Sequence, residues 1–255
     1  MASLSTQTIN LSDMTNLIHT IEHPTLDSQS LLSLIDYTFL NDKRSQDALD
    51  EFVQSAYRYP QLAGICVYAH HLHLFKQHPS KKVTVVNFPA GDQNDFAVFG
   101  EFDSVINVAN PDEIDYVFPY QAYLDGAKEY ALHQCKKVIE HSRRTQVTIK
   151  IIIESGEFTS PTILYELCKS ILEFQPDFIK TSTGFSKTGA TFEAVSVICQ
   201  AIKDSGIDCG VKVSGGIRDA LAACRYIFLA ETILNRQIDP SWFRIGASQL
   251  VRNLT

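Results

Sequence analysis

Eight short runs of β-branched and apolar residues recur along the chain, and segments of helical length separate most of them. The runs are 35–40, 64–69, 82–89, 113–120, 148–155, 177–183, 210–215 and 244–248. Helical candidates lie at 43–58, 92–109, 125–142, 161–174, 191–205 and 217–235, with a shorter one around 70–78. Such alternation implies parallel strands joined by right-handed crossovers. Eight units of this kind point to a closed α/β ring, the (β/α)8 TIM barrel, with a doubly wound open sheet as the alternative. Two helix starts carry their own chemistry: Ser160 before Pro161, and Thr191, are expected N-caps. A chain of 255 residues can build one such barrel, and no linker or shift in composition divides it. Residues 1–255 therefore read as one domain, a helical N-terminal extension over 1–30 and a barrel over 31–250.

Charge and cysteine content narrow the function classes. With a net charge of −7 there is no broad positive field to gather nucleic acid or an anionic membrane, so an anionic substrate needs a local site. No segment reaches the roughly 18 apolar residues of a membrane span. The six cysteines are scattered without a C-x-x-C pair and read as reduced thiols. Together with the absence of a signal-like or transit-like segment, they lead to an expected cytoplasmic location.

Barrel strands are buried on both faces, so the charged residues inside them are informative. Asp115, Lys150, Lys180 and Lys212 all fall within the runs. Alternation along a strand turns Phe178 and Ser182 inward with Lys180, and Gly210 and Ser214 inward with Lys212. Two ammonium groups close together in a dry interior make one neutral amine available near pH 7, and a neutral amine attacks carbonyls. Asp115 would be held ionised by these cations and shuttle protons. The competing reading is a structural ion-pair network. Small-residue loops after three runs, "TSTG" 181–184, "SGG" 214–216 and "GAS" 246–248, suit backbone N–H binding of a phosphate.

The motifs "IDYTFLND" 35–42, "VVNFPAG" 85–91, "EIDYVFPY" 113–120, "KIIIESGE" 150–157, "DFIKTSTGF" 177–185, "VKVSGGIR" 211–218 and "RIGAS" 244–248 resemble those of the deoxyribose-phosphate aldolases, class I enzymes. The resemblance implies reversible cleavage of 2-deoxy-D-ribose 5-phosphate to D-glyceraldehyde 3-phosphate and acetaldehyde, with no metal or other cofactor. It implies that Lys180 forms a Schiff base, that Lys212 perturbs its pKa and that Asp115 relays protons through an ordered water. Gly184, Gly215, Gly216 and Ser248 would seat the phosphate. Lys150 would orient Asp115. Asp36 and Thr38 are expected at the substrate hydroxyls, with a structural role for the aspartate as the alternative. By its place in the second run, Cys66 lies towards the mouth, either close to substrate or, as the simpler reading, as a small buried hydrophobe.

The sequence departs from that pattern at Phe185, where a lysine is common and Lys187 follows two residues on, at Gln249, and in a short tail. Two other readings stay open: a different class I lyase or transaldolase-like enzyme on another phosphosugar, and a phosphosugar-binding barrel without turnover. The partner in each case is a small phosphosugar, and a possible assembly is a homodimer. His70, His71, His73 and His78 suggest the zinc of a class II aldolase or, more simply, a solvated helix face.

Overall fold

In the computed structural model, which describes residue 18 and residues 20–41 and 45–254, the eight strands hydrogen-bond in sequence order and the ring closes between the first and the last. They are β1 (Ile35–Phe39), β2 (Gly64–Val67), β3 (Lys81–Val86), β4 (Glu113–Val117), β5 (Thr148–Ile152), β6 (Phe178–Lys180), β7 (Gly210–Ser214) and β8 (Phe243–Ala247). All eight pairings are parallel.

The helices are α1 (Ser28–Leu32), α2 (Gln46–Tyr57), α3 (Asp95–Ala109), α4 (Tyr120–Leu124), α5 (Lys128–Thr145), α6 (Pro161–Leu172), α7 (Phe192–Ser205), α8 (Ala220–Leu234) and α9 (Gln249–Asn253), with 3₁₀ turns at Ala69–Phe75 and Ser155–Glu157. Ser160 and Thr191 cap α6 and α7 as expected, their hydroxyls accepting from the N–H groups of Ile163 and Ala194. The helix expected over 125–142 is α5, and an unexpected short helix, α4, precedes it; the chain turns between them at Gly126, whose φ of +99° is glycine territory.

Most of the strands end two or more residues before the apolar runs do. Residues just past the strands, such as Asn87 and Glu154, take up the left-handed region and turn the chain into the loops above the barrel. Hydrophobicity alone could not show this, because Asn87, Phe118, Ile153 and Glu154 beyond the strand ends are as buried as the strands.

Residues 1–17 of the expected extension lie outside the described residues. Its described part is tied to α8: the Arg225 guanidinium donates to the Ile21 carbonyl at 3.0 Å, and the Thr25 N–H donates to Cys224 Sγ at 3.3 Å.

Odd and even positions divide the strands between two environments. Ile149, Ile151, Ile179, Val211 and Val213 face the helices and join the large apolar layer. The inward set is mostly charged or small, with a separate apolar patch of Leu40, Cys66, Val83 and Val85. Phe178 fills the interior between Lys150 and Arg244, each about 6 Å from its ring centroid. Its neighbour across the ladder is Gly210, where a Cβ would lie 2.5 Å from ring atoms of Phe178 and 2.6 Å from the Trp242 carbonyl oxygen. Gly210→Ala is therefore expected to destabilise the barrel by about 1–3 kcal/mol through overpacking, read as a lower urea midpoint with an unchanged slope.

Candidate active site

The inward residues of β1, β4, β5, β6, β7 and β8 build one buried ion cluster. Asp115 lies at its centre: Lys180 Nζ and Lys212 Nζ both donate to its Oδ2, at 2.8 and 2.7 Å, and Lys150 Nζ donates to its Oδ1 at 3.0 Å. A second layer completes the pairing. Asp36 binds Lys212 at 2.5 Å and Arg244 at 2.7 Å, while Glu113 binds Lys150 at 2.5 Å and Arg244 at 3.0 Å. Parity explains the gathering, since Lys180 pairs with Lys212 in register, Lys212 with Arg244, and Asp115 with Lys150.

Charge states follow from these contacts. Burial pushes the Asp115 carboxyl up, but Lys150, Lys180 and Lys212 outweigh it and hold the group well below the usual carboxylate range. Asp36 is likewise pushed up by burial and then drawn below that range by Lys212, Arg244 and Lys150. Burial works against a charged Lys212, yet Asp115 and Asp36 raise its pKa above the ordinary value, so it stays a cation. Lys150 is raised in the same way, by Asp115 and Glu113.

A cavity of about 640 Å³ opens at the carboxyl ends of the strands, above this cluster. Lys180 reaches its floor, the one charged member of the cluster that lines it. Thr38, Gly184, Gly215, Gly216 and Ser248 line it too. All three glycines have positive φ, between 85° and 89°. The loops are laced together: Ser214 Oγ donates to the Ser182 carbonyl at 2.5 Å, and Thr181 Oγ1 donates to the Ser214 carbonyl at 3.1 Å. Phe185 lines the cavity while 56% exposed, edge-on to Phe88 at 5.2 Å, and Gln249 lines it as well.

Several expectations change. Asp36, expected at the substrate, is fully buried under the cavity and committed to Lys212 and Arg244, because it stands two residues before Thr38 on β1. Cys66 takes the simpler of its two expected roles, a small buried hydrophobe packed among apolar side chains, and burial pushes its thiol up to about 11. His78 does not belong to a solvated face. It is buried, with Nε2 3.0 Å from the Ala56 carbonyl oxygen and Nδ1 accepting from the Ser80 N–H. Among the described residues no group of three or more His, Cys, Asp or Glu side chains is arranged to hold a metal ion. No described helix is long and apolar enough to cross a membrane.

Glu113, Arg244, Glu154, Arg218 and Arg252 escaped the reading of the sequence. Parity could have found the first two, as Glu113 shares the inward face with Asp115, and Arg244 with Gly246. Arg218 and Arg252 bring positive charge to the cavity wall, and only the packing of α9 beside the loop after β7 brings them together there.

A closed ring of parallel strands with its cavity over their carboxyl ends defines a (β/α)8 barrel protein of the kind that builds its sites from the strand-to-helix loops. The DeoC/LacD family aldolase model matches residues 31–225, and the chain belongs to that family. Among solved structures it is similar to QR15, an aldolase, with 25% identity and a TM-score of 0.74 over 88% of this chain and 94% of that one. The tetrameric deoxyribose phosphate aldolase of Aeropyrum pernix shares the fold, with 21% identity and a TM-score of 0.76 over 94% and 96% of the two chains.

Proposed function

We propose that this aldolase cleaves 2-deoxy-D-ribose 5-phosphate reversibly through a Schiff base on Lys180. The observation that carries this reading is Lys180 Nζ at the cavity floor, sharing Asp115 Oδ2 with the cationic Lys212. Within the cluster four cations face three carboxylates, Asp36, Glu113 and Asp115. Of these groups Lys180 is the one whose amine can meet a carbonyl substrate, with Lys212 Nζ held beside it on the same carboxylate oxygen.

The amine adds to the C1 aldehyde of the open-chain sugar and water leaves, giving an iminium. Loss of the C3 hydroxyl proton breaks the C2–C3 bond, the electron pair passes into the iminium as an enamine, and C3 departs as the aldehyde of glyceraldehyde 3-phosphate. Protonation of C2 and hydrolysis release acetaldehyde. Asp115, below the cavity, relays protons through water rather than by direct contact. Gly184, Gly215, Gly216 and Ser248 seat the phosphate, with Arg218 and Arg252 supplying countercharge. Phe185, in place of a lysine, adds an apolar side chain next to Gly184 in the cavity lining.

Borohydride reduction in the presence of acetaldehyde tests this. One ethyl group is expected on the peptide containing Lys180; a label on another lysine, or activity lost on chelation, would overturn the mechanism. Lys212→Leu should slow trapping by roughly a hundredfold or more, because it removes the cation that shares Asp115 Oδ2 with Lys180 and so disturbs the carboxylate that holds the nucleophile.

A further inference from the structure

Glu154 follows β5 with φ 49° and ψ 57°, a left-handed conformation that is uncommon for glutamate, and it is fully buried. Its carboxylate accepts from Thr183 twice: from the hydroxyl at 2.5 Å, and from the N–H at 3.2 Å to the same oxygen and 3.3 Å to the other. Thr183 Oγ1 in turn accepts from the Phe185 N–H at 3.1 Å. Residues on either side of Glu154 grip the same loop. The Ser155 N–H donates to the Thr181 carbonyl at 2.7 Å, and Gly156 lies so close to the Thr188 carbonyl that a Cβ there would collide with it. Three consecutive residues after β5 thus hold positions 181, 183 and 188, while Thr183, Gly184 and Phe185 line the cavity.

We infer that Glu154 is a positioning residue for the substrate's phosphate end: its carboxylate fixes the Thr183–Phe185 segment that forms one cavity wall. Gly184 faces open space, where an added Cβ would meet nothing within 4 Å, so at that residue the wall depends on the bonds of its neighbour Thr183. Burial pushes the Glu154 carboxyl up, and its bonds to Thr183 and the charge of Lys180 oppose that rise. The inference rests on the reading of Lys180 as the Schiff-base lysine, but the clamp can be measured separately.

Glu154→Ala should raise KM for 2-deoxyribose 5-phosphate by roughly tenfold, the loss of hydrogen bonds to a charged acceptor, while acetaldehyde trapping on Lys180 stays within about twofold of that in Glu154→Gln, which removes the same charge and keeps an acceptor. Glu154→Gln should restore most of the affinity, because its amide oxygen still accepts from the Thr183 N–H. Thr183→Val, which keeps that N–H and loses the hydroxyl, should fall between and serves if the alanine variant does not fold. Hydrogen exchange of the Phe185 amide should quicken in Glu154→Ala and in Thr183→Val, whatever the chemistry at Lys180. An unchanged KM and exchange rate would overturn the inference. So would a Gln variant that loses kcat as deeply as the Ala variant at constant KM, which would make the carboxyl a proton carrier. Failure of Lys180 to trap acetaldehyde, with exchange still altered, would sink the Schiff-base reading and leave the clamp standing.

Discussion

Lys180→Ala is expected to lower kcat by on the order of 10⁴ or more and to abolish borohydride trapping, with little change in the circular dichroism spectrum. Its amine is the nucleophile of the proposed mechanism, and no other described lysine lines the cavity. The fold should tolerate the loss, because Asp115 retains Lys150 and Lys212 as partners at 3.0 and 2.7 Å. Lys187→Ala, at an exposed loop position, is the matched control and should trap normally. Retention of full activity by Lys180→Ala would end the Schiff-base proposal, leaving a barrel that binds phosphosugars or acts on them by other means.

Arg244→Met is expected to destabilise the protein by about 3–5 kcal/mol, the cost of stranding a buried charge, and to lower Tm by about 10 °C. The substitution takes the nearest cation from Asp36 Oδ1 and from Glu113 Oε1, both within a dry interior. Adding Glu113→Gln should recover part of the loss, a coupling that a double-mutant cycle in urea measures. A loss under about 1 kcal/mol would show that Lys150 and Lys212 satisfy the two carboxylates by themselves.

The same network sets a pH window. Asp36 and Asp115 have folded pKa values below the ordinary 3.8, so their contribution is present above that pH and lost as pH falls beneath it. Lys150 and Lys212 lie above the ordinary 10.5, so theirs is present below that pH and lost as pH rises beyond it. Urea midpoints should therefore hold between these limits and drop outside them.

Much of this was legible in the residues. Strand number, strand order and the inward parity of Lys180 and Lys212 followed from alternating runs, because each strand must hide one face under helices and the other in the barrel. Lys150 meets Asp115 as expected. Asp36 was harder: its depth depends on how β1 is staggered against β8, a register fixed by closure of the ring. Arg244 lay in plain view in "RIGAS", but what it balances comes from β1 and β4, 208 and 131 residues away. Glu154 was hidden for a different reason. It sits in an apolar run that reads as strand, and its function depends on a backbone turn that no pattern of hydrophobicity announces.

The sequence by itself determined the barrel and the faces of its strands, since burial and a repeat of two fix which side chains share an environment. Only the tertiary structure decided which carboxylate binds which cation and which lysine reaches the cavity. Those choices depend on the stagger of a closed ring and on distances of a few ångströms between residues far apart in the chain.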